Sequence, residues 1–126
     1  MPKRVMIVDD SSTLRRMIER SLEECGFEVT SCASGKEAVE AARKTPPQVV
    51  VTDLNMPEFD GLALTRQLRS EQQTAKCPIL ILTTDNTAER KAEARQAGAS
   101  GWVLKPFQPE TLVRAINSVC QRAGAL

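Results

Sequence analysis

The chain of 126 residues has room for one ordinary domain, and 17 Lys and Arg against 16 Asp and Glu leave a net charge of +1, no electrostatic footprint for nucleic acid or an anionic membrane. Histidine is absent, which excludes Ser-His-Asp and Cys-His catalysis, the HExxH metalloprotease site, His-containing zinc sites and a phosphohistidine carried by the chain itself. Three Phe, one Trp and no Tyr are too few rings for a surface that stacks bases or a flavin.

Val5-Met6-Ile7-Val8 is a solid apolar run of the kind found in strands covered on both faces, and it runs into Asp9-Asp10. Leu14, Met17, Ile18, Leu22 and Cys25 then recur at helical spacing, with Gly26 placed to end that helix. Phe27 to Cys32 mixes Phe27 and Val29 with Glu28 and Thr30, the half-polar alternation of an edge strand. Ser34 with Glu37 makes a capping box ahead of Ala38, Val39 and Ala42, and Pro46-Pro47 stops the helix. Val49-Val50-Val51 is the next solid run, ending at Asp53, and Asp60-Gly61 turns the chain into a helix carrying Leu62, Leu64 and Leu68. Ile79-Leu80-Ile81-Leu82 follows and ends in Thr83-Thr84. Thr87 to Ala97 is a good helix former with only a thin apolar side. Val103-Leu104 is the last solid run, ending in Lys105, and Pro109 opens a helix with Leu112, Val113, Ile116, Val119 and Cys120.

Five βα units in strict alternation imply an α/β fold, a doubly wound parallel sheet of five strands with helices on both faces. No internal repeat, low-complexity stretch or linker interrupts residues 1–126, so a single domain without an output domain is expected. Cys25, Cys32, Cys77 and Cys120 are widely spaced without a C-x-x-C pair, and read as reduced thiols packed as small hydrophobes. With no signal-peptide core and no apolar stretch of membrane-spanning length, the expected place is the cytoplasm.

Polar residues stand at the ends of the apolar runs: Asp9-Asp10 after the first, Asp53 after the third, Thr83-Thr84 after the fourth and Lys105 after the fifth. Open parallel sheets bind ligands outside the carboxyl ends of their strands, where strand order reverses. If the sheet has the order 2-1-3-4-5, Asp9, Asp10 and Asp53 would converge in one crevice flanked by Thr83 and Lys105. Three carboxylates so placed repel one another and call for a hard divalent cation, best Mg²⁺, which leaves positions open for phosphate oxygens. The cation screens a carboxylate from an incoming phosphoryl group, Lys105 adds positive charge and Thr83 a hydroxyl. The set reads as phosphorylation on an aspartate.

These residues resemble a known family, the receiver domains of two-component response regulators. The matching stretches are Val8-Asp9-Asp10-Ser11, Thr52-Asp53-Leu54-Asn55-Met56-Pro57 with Asp60-Gly61, Leu82-Thr83-Thr84, and Ala97-Gly98-Ala99 leading to Lys105-Pro106-Phe107. They span essentially the whole chain in family order and spacing. The resemblance implies a flavodoxin-like (βα)5 fold, and the order 2-1-3-4-5 is borrowed from it, chemotaxis regulators of the CheY type being a standard instance of that order. It also implies a phosphoacceptor at Asp53, supplied by a histidine kinase, and Mg²⁺ held by Asp10 and Asp53. Asp9 would hold metal-bound water, and the Asn55 carbonyl would contribute to the metal site. Thr83 would bind the phosphoryl group and Lys105 pair with it or with the free carboxylate. The peptide before Pro106 is commonly cis in the family, which helps aim the lysine. Glu58 and Asp85 lie where the family tunes hydrolysis of the acyl phosphate. Such a domain catalyses its own phosphoryl transfer and dephosphorylation and is not an enzyme in the usual sense.

Trp102 stands where many receivers carry Tyr or Phe and departs from the commonest pattern. It reads equally as a rotamer switch that moves with Thr83 or as part of a docking surface. The family's usual output face would here carry Arg90, Lys91 and Arg95 beside Trp102. Thr83-Thr84-Asp85 and the stretch from Gly101 to Phe107 look most like chemotaxis regulators of the CheY type, which act as monomers on the flagellar motor switch. A phosphorelay shuttle to a histidine phosphotransfer protein is the alternative, and a phosphatase is a further candidate partner. Two other classes compete. A flavodoxin-like electron carrier would use Ser11-Ser12-Thr13 as a phosphate cradle, but Asp9-Asp10 would repel its FMN. An aspartyl phosphatase needs a second acid where Asn55 stands, and Asn cannot protonate a leaving group.

Overall fold

The computed structural model describes residues 3–122. Five strands, β1 (Arg4–Val8), β2 (Glu28–Cys32), β3 (Val49–Asp53), β4 (Ile79–Thr83) and β5 (Gly101–Leu104), alternate with five helices. These are α1 (Ser12–Glu24), α2 (Gly35–Lys44), α3 (Gly61–Ser70), α4 (Ala88–Ala97) and α5 (Pro109–Arg122). All strand pairs are parallel and the sheet order is β2-β1-β3-β4-β5. The flavodoxin-like order expected from the sequence is the one observed.

Alternation along the strands divides the core into two layers. Met6, Val8, Val50, Ile79 and Ile81 face α2, α3 and α4, where Ala38, Val39, Leu64, Leu68 and Ala94 cover them. Val5, Ile7, Val49, Val51, Leu80 and Leu82 face α1 and α5, covered by Ile18, Leu22, Leu112, Ile116 and Val119. The central strands β3 and β4 are buried along their whole length, as their unbroken apolar runs require. β2 alternates between exposed and half-buried positions, the edge strand its mixed sequence implies. β5 departs from expectation. Its Val103-Leu104 run looks fully covered, yet Leu104 is exposed because β5 forms the other sheet edge.

The caps explain where the helices begin. Ser11, Ser34, Asp60 and Thr87 are N-caps whose side-chain oxygens accept from Leu14, Glu37, Ala63 and Arg90 backbone N–H groups. The Ser34 box closes one residue off: Glu37 Oε2 accepts from Ala33 N, not from the cap residue itself. Gly26, at φ 90°, ends α1 as expected. α4 buries only Ala94 and Ala97, which fits its thin apolar side.

Cys32, Cys77 and Cys120 are buried free thiols, whereas Cys25 is exposed at the end of α1, against the expectation that all four pack as hydrophobes. Burial pushes the Cys32 thiol up to about 11 and the Cys77 thiol up to about 12, so both stay protonated at neutral pH. Among the described residues no helix is long and apolar enough to cross a membrane.

Candidate functional site

Because β1 and β3 are neighbours, the turns leaving them open side by side. Carboxylate oxygens of Asp9, Asp10 and Asp53 all lie within 4.8 Å of one another. Asp9 is 1% exposed and Asp53 7%, while Asp10 faces solvent. Lys105, at the end of β5, reaches back across β4: its Nζ donates to Asp53 Oδ1 at 3.1 Å and lies 3.6 Å from Asp9 Oδ2. The Lys105-Pro106 peptide is cis. The Lys105 N–H donates to the Thr83 carbonyl at 2.9 Å, tying the lysine's backbone to the end of β4.

Burial pushes the Asp53 carboxyl above the ordinary aspartate range. The Lys105 hydrogen bond and charge pull it back, and the charges of Asp9 and Asp10 push it up again. A carboxylate so held keeps more basicity than a solvated one, which favours it as a nucleophile. Asp9 Oδ1 accepts from Ser11 N at 2.8 Å, but its buried Oδ2 has no hydrogen-bond partner. That oxygen, in a cluster of three carboxylates against one ammonium with no thiol or imidazole among its ligand groups, fits a small oxygen-seeking dication such as Mg²⁺. Asp9, Asp10 and Asp53 would hold it.

The remaining sequence candidates divide. Thr83 is buried, and its Oγ1 accepts from Asp85 N at 3.0 Å. Asp85 in turn accepts from Thr87 N at 2.9 Å, a bond that holds its carboxyl below the usual range. Asn55 is exposed in the loop after β3. Glu58, at φ 66°, lines a groove between α2 and α3 with Lys36, Val39, Phe59 and Gln67. Lys91, Arg95 and Trp102 come together around a recess between α4 and β5. Arg90 points elsewhere, paired with Glu93 at 3.0 Å and 4.0 Å from Asp85. Ser11 caps α1 and Ser12 and Thr13 lie in its first turn, beside the Asp9 and Asp10 carboxylates that would repel a flavin phosphate.

The roles of two residues escaped the sequence reading. Arg15 Nη1 donates to the Asp9 carbonyl at 2.7 Å. Gly61 lets α3 start against the end of β3, since a Cβ there would meet the Asp53 carbonyl oxygen at 2.5 Å. Arg15 is marked by neither residue type nor spacing, and Gly61 reads in the sequence only as part of a turn and of the matching stretch.

The family model of the response regulator receiver domain matches residues 5–117. The chain belongs to this family. It is thus the receiver domain of a CheY-like response regulator in two-component signalling. The receiver is 35% identical over 120 residues to "Chemotaxis protein CheY-3" of Vibrio cholerae, covering 94% of this chain and 92% of that protein. It is 36% identical over 124 residues to "Probable transcriptional regulator ycf27" of Pyropia yezoensis, covering 98% of this chain. The receiver spans only about half the length (50%) of that regulator, and of its Porphyridium aerugineum counterpart (49%). Among solved structures, V. cholerae CheY4 at pH 4.0 superposes with a TM-score of 0.92 at 39% identity, over 94% of this chain and 99% of that one. A response regulator from Chloroflexus aurantiacus gives 0.91 at 34%, over 96% and 99%.

Proposed function

We propose that the receiver is a cytoplasmic switch, phosphorylated on Asp53 by a histidine kinase and read by a separate target. The observation that carries this is the buried Asp53 carboxylate held between Lys105 and two further carboxylates. An Asp53 oxygen attacks the phosphorus of the donor phosphohistidine; the P–O bond forms as the P–N bond breaks, and the imidazole leaves with the bonding pair. Bound Mg²⁺ would neutralise charge on the carboxylates and the phosphoryl oxygens. Lys105 then pairs with a phosphoryl oxygen and the Thr83 hydroxyl donates to another. Water attacking the same phosphorus breaks its bond to the Asp53 oxygen, releasing inorganic phosphate and the free carboxylate, with Asp85 and Glu58 tuning the water's approach.

The target proposed is a flagellar motor switch protein. CheY-3 is a chemotaxis protein matched over nearly its full length, which supports this reading over the half-length match to the ycf27 regulators. Trp102, Lys91 and Arg95 supply an indole and two cations for that contact.

The test is direct. Acetyl phosphate with Mg²⁺ should add one phosphoryl group to the intact mass, EDTA should prevent it, and Asp53→Asn should abolish it. Equal phosphorylation of Asp53→Asn would remove Asp53 from the role.

A further inference from the structure

Residues of an extended strand present their N–H and C=O to the same neighbour. Parallel register pairs Val8 with Cys32, so Asp9 lies opposite Ala33. Its N–H is met by the Cys32 carbonyl at 3.1 Å, as the ladder requires. Its carbonyl would look for the N–H of Ser34, but β2 ends at Cys32 and Ser34 is already the N-cap of α2. Arg15, in the first turns of α1, supplies the missing donor: Nη1 stands 2.7 Å from the Asp9 carbonyl oxygen. The guanidinium thus takes the place of a strand at the point where the sheet stops and the site begins.

We propose that Arg15 is a positioning residue for the acidic site, an inference that rests on the cation-binding reading of that site. The Asp9 carbonyl belongs to the same rigid peptide plane as the Asp10 N–H. Clamping that oxygen fixes the plane from which Asp10 departs. Asp10 is exposed, so the backbone beneath it sets its aim. Ser11 N on Asp9 Oδ1 fixes the other carboxylate of the pair. Between them, the two donors hold the Asp9-Asp10 turn so that both carboxylates face Asp53. Arg16, the next residue, is exposed and is the natural control.

The test uses the purified chain and Mg²⁺ alone, titrated by calorimetry near neutral pH. Arg15→Met should weaken Mg²⁺ binding about tenfold, the lower end of what loss of a ligand-supporting partner causes. Arg15→Lys, which keeps a donor within reach of one carbonyl, should stay within about threefold of the parent, and Arg16→Met should match it. Melting in EDTA shows whether each variant folds; if Arg15→Met does not, Arg15→Gln should show the same tenfold loss. Parent-like Mg²⁺ affinity in the folded Arg15→Met or Arg15→Gln protein overturns the proposal. A parent that takes up no Mg²⁺ instead overturns the cation-binding reading beneath it.

Discussion

Lys105 and Asp53, 52 residues apart in sequence, meet at 3.1 Å, and the same ammonium lies 3.6 Å from Asp9. One cation therefore serves two buried carboxylates from different strands. Among the described residues no other ion pair reaches either acid. The lysine is the resident counter-ion of a site whose remaining negative charge stays open to a metal.

Lys105→Met removes that counter-ion and leaves buried charge uncompensated. Without Mg²⁺ near pH 7 the variant should be about 2–3 kcal/mol less stable than the parent, as for a broken buried pair that keeps some solvent. The deficit should shrink as acid protonates the stranded carboxylates, and Mg²⁺ should stabilise the variant more than the parent. Urea unfolding with EDTA and with Mg²⁺, at neutral and acidic pH, checks all three. A deficit that stays constant with pH would show that lost packing, not charge, is responsible.

Asp53 carries the opposite prediction. Its folded carboxyl is raised chiefly by burial, so the folded state binds this proton more tightly than the unfolded chain. The stability it contributes is fully present below the ordinary aspartate value of about 4, and is lost as pH rises through the raised folded value. Asp53→Asn carries no such charge. In EDTA it should therefore be more stable than the parent near pH 7, with the advantage fading toward acid. Added Mg²⁺ should reverse the order by stabilising the parent. Thermal melts across that range decide it; an Asp53→Asn protein less stable than the parent in neutral EDTA contradicts the argument.

The βα alternation and the carboxylates at strand ends were legible because they depend on residue type at a fixed spacing. β3 and β4 announced themselves as Val49-Val50-Val51 and Ile79-Leu80-Ile81-Leu82, and Asp53 and Thr83 follow from where those runs stop. Contacts made to backbone atoms left no such trace. Neither residue type nor spacing sets Arg15 and Arg69 apart from the other arginines of their helices. Yet Arg69 is half-buried, donating to the carbonyls of Gly98 at 2.9 Å and Cys77 at 2.6 Å, and so fastens the ends of α4 and the α3–β4 loop together. Carbonyl acceptors are present at every position, so nothing in a sequence distinguishes the ones that a guanidinium will find. Arg90, on the same helix as Lys91 and Arg95, pairs with Asp85 and Glu93 and is not among the residues that line the recess beside Trp102.

Gly61 is a position where close approach, and not backbone conformation, demands glycine. A Cβ would stand 2.5 Å from the Asp53 carbonyl oxygen and 3.0 Å from Leu54 Cα, both backbone atoms of the site's own strand end. Neither can yield without moving Asp53. Gly61→Ala should cost about 1–3 kcal/mol in urea unfolding, the usual range for forced overpacking. It should also slow phosphorylation by acetyl phosphate. An Ala variant with parental stability would mean that α3 can slide away from β3 freely.

Thr83 links the site to α4 through a chain of caps. Its hydroxyl accepts from Asp85 N, Asp85 accepts from Thr87 N, and the Thr87 hydroxyl accepts from Arg90 N. α4 buries only two alanines, so these bonds hold an end that packing holds weakly. A phosphoryl group that draws the Thr83 hydroxyl toward Asp53 pulls on the first link. Thr83→Ala breaks it permanently and should cost about 1 kcal/mol, the net worth of one hydrogen bond. Its Asp53 should still be phosphorylated, but the change in Trp102 fluorescence on adding beryllofluoride and Mg²⁺ should be largely lost. Thr83→Ser, which keeps the hydroxyl, should recover it. A full fluorescence change in Thr83→Ala would show that Trp102 senses the phosphoryl group by a route that bypasses α4.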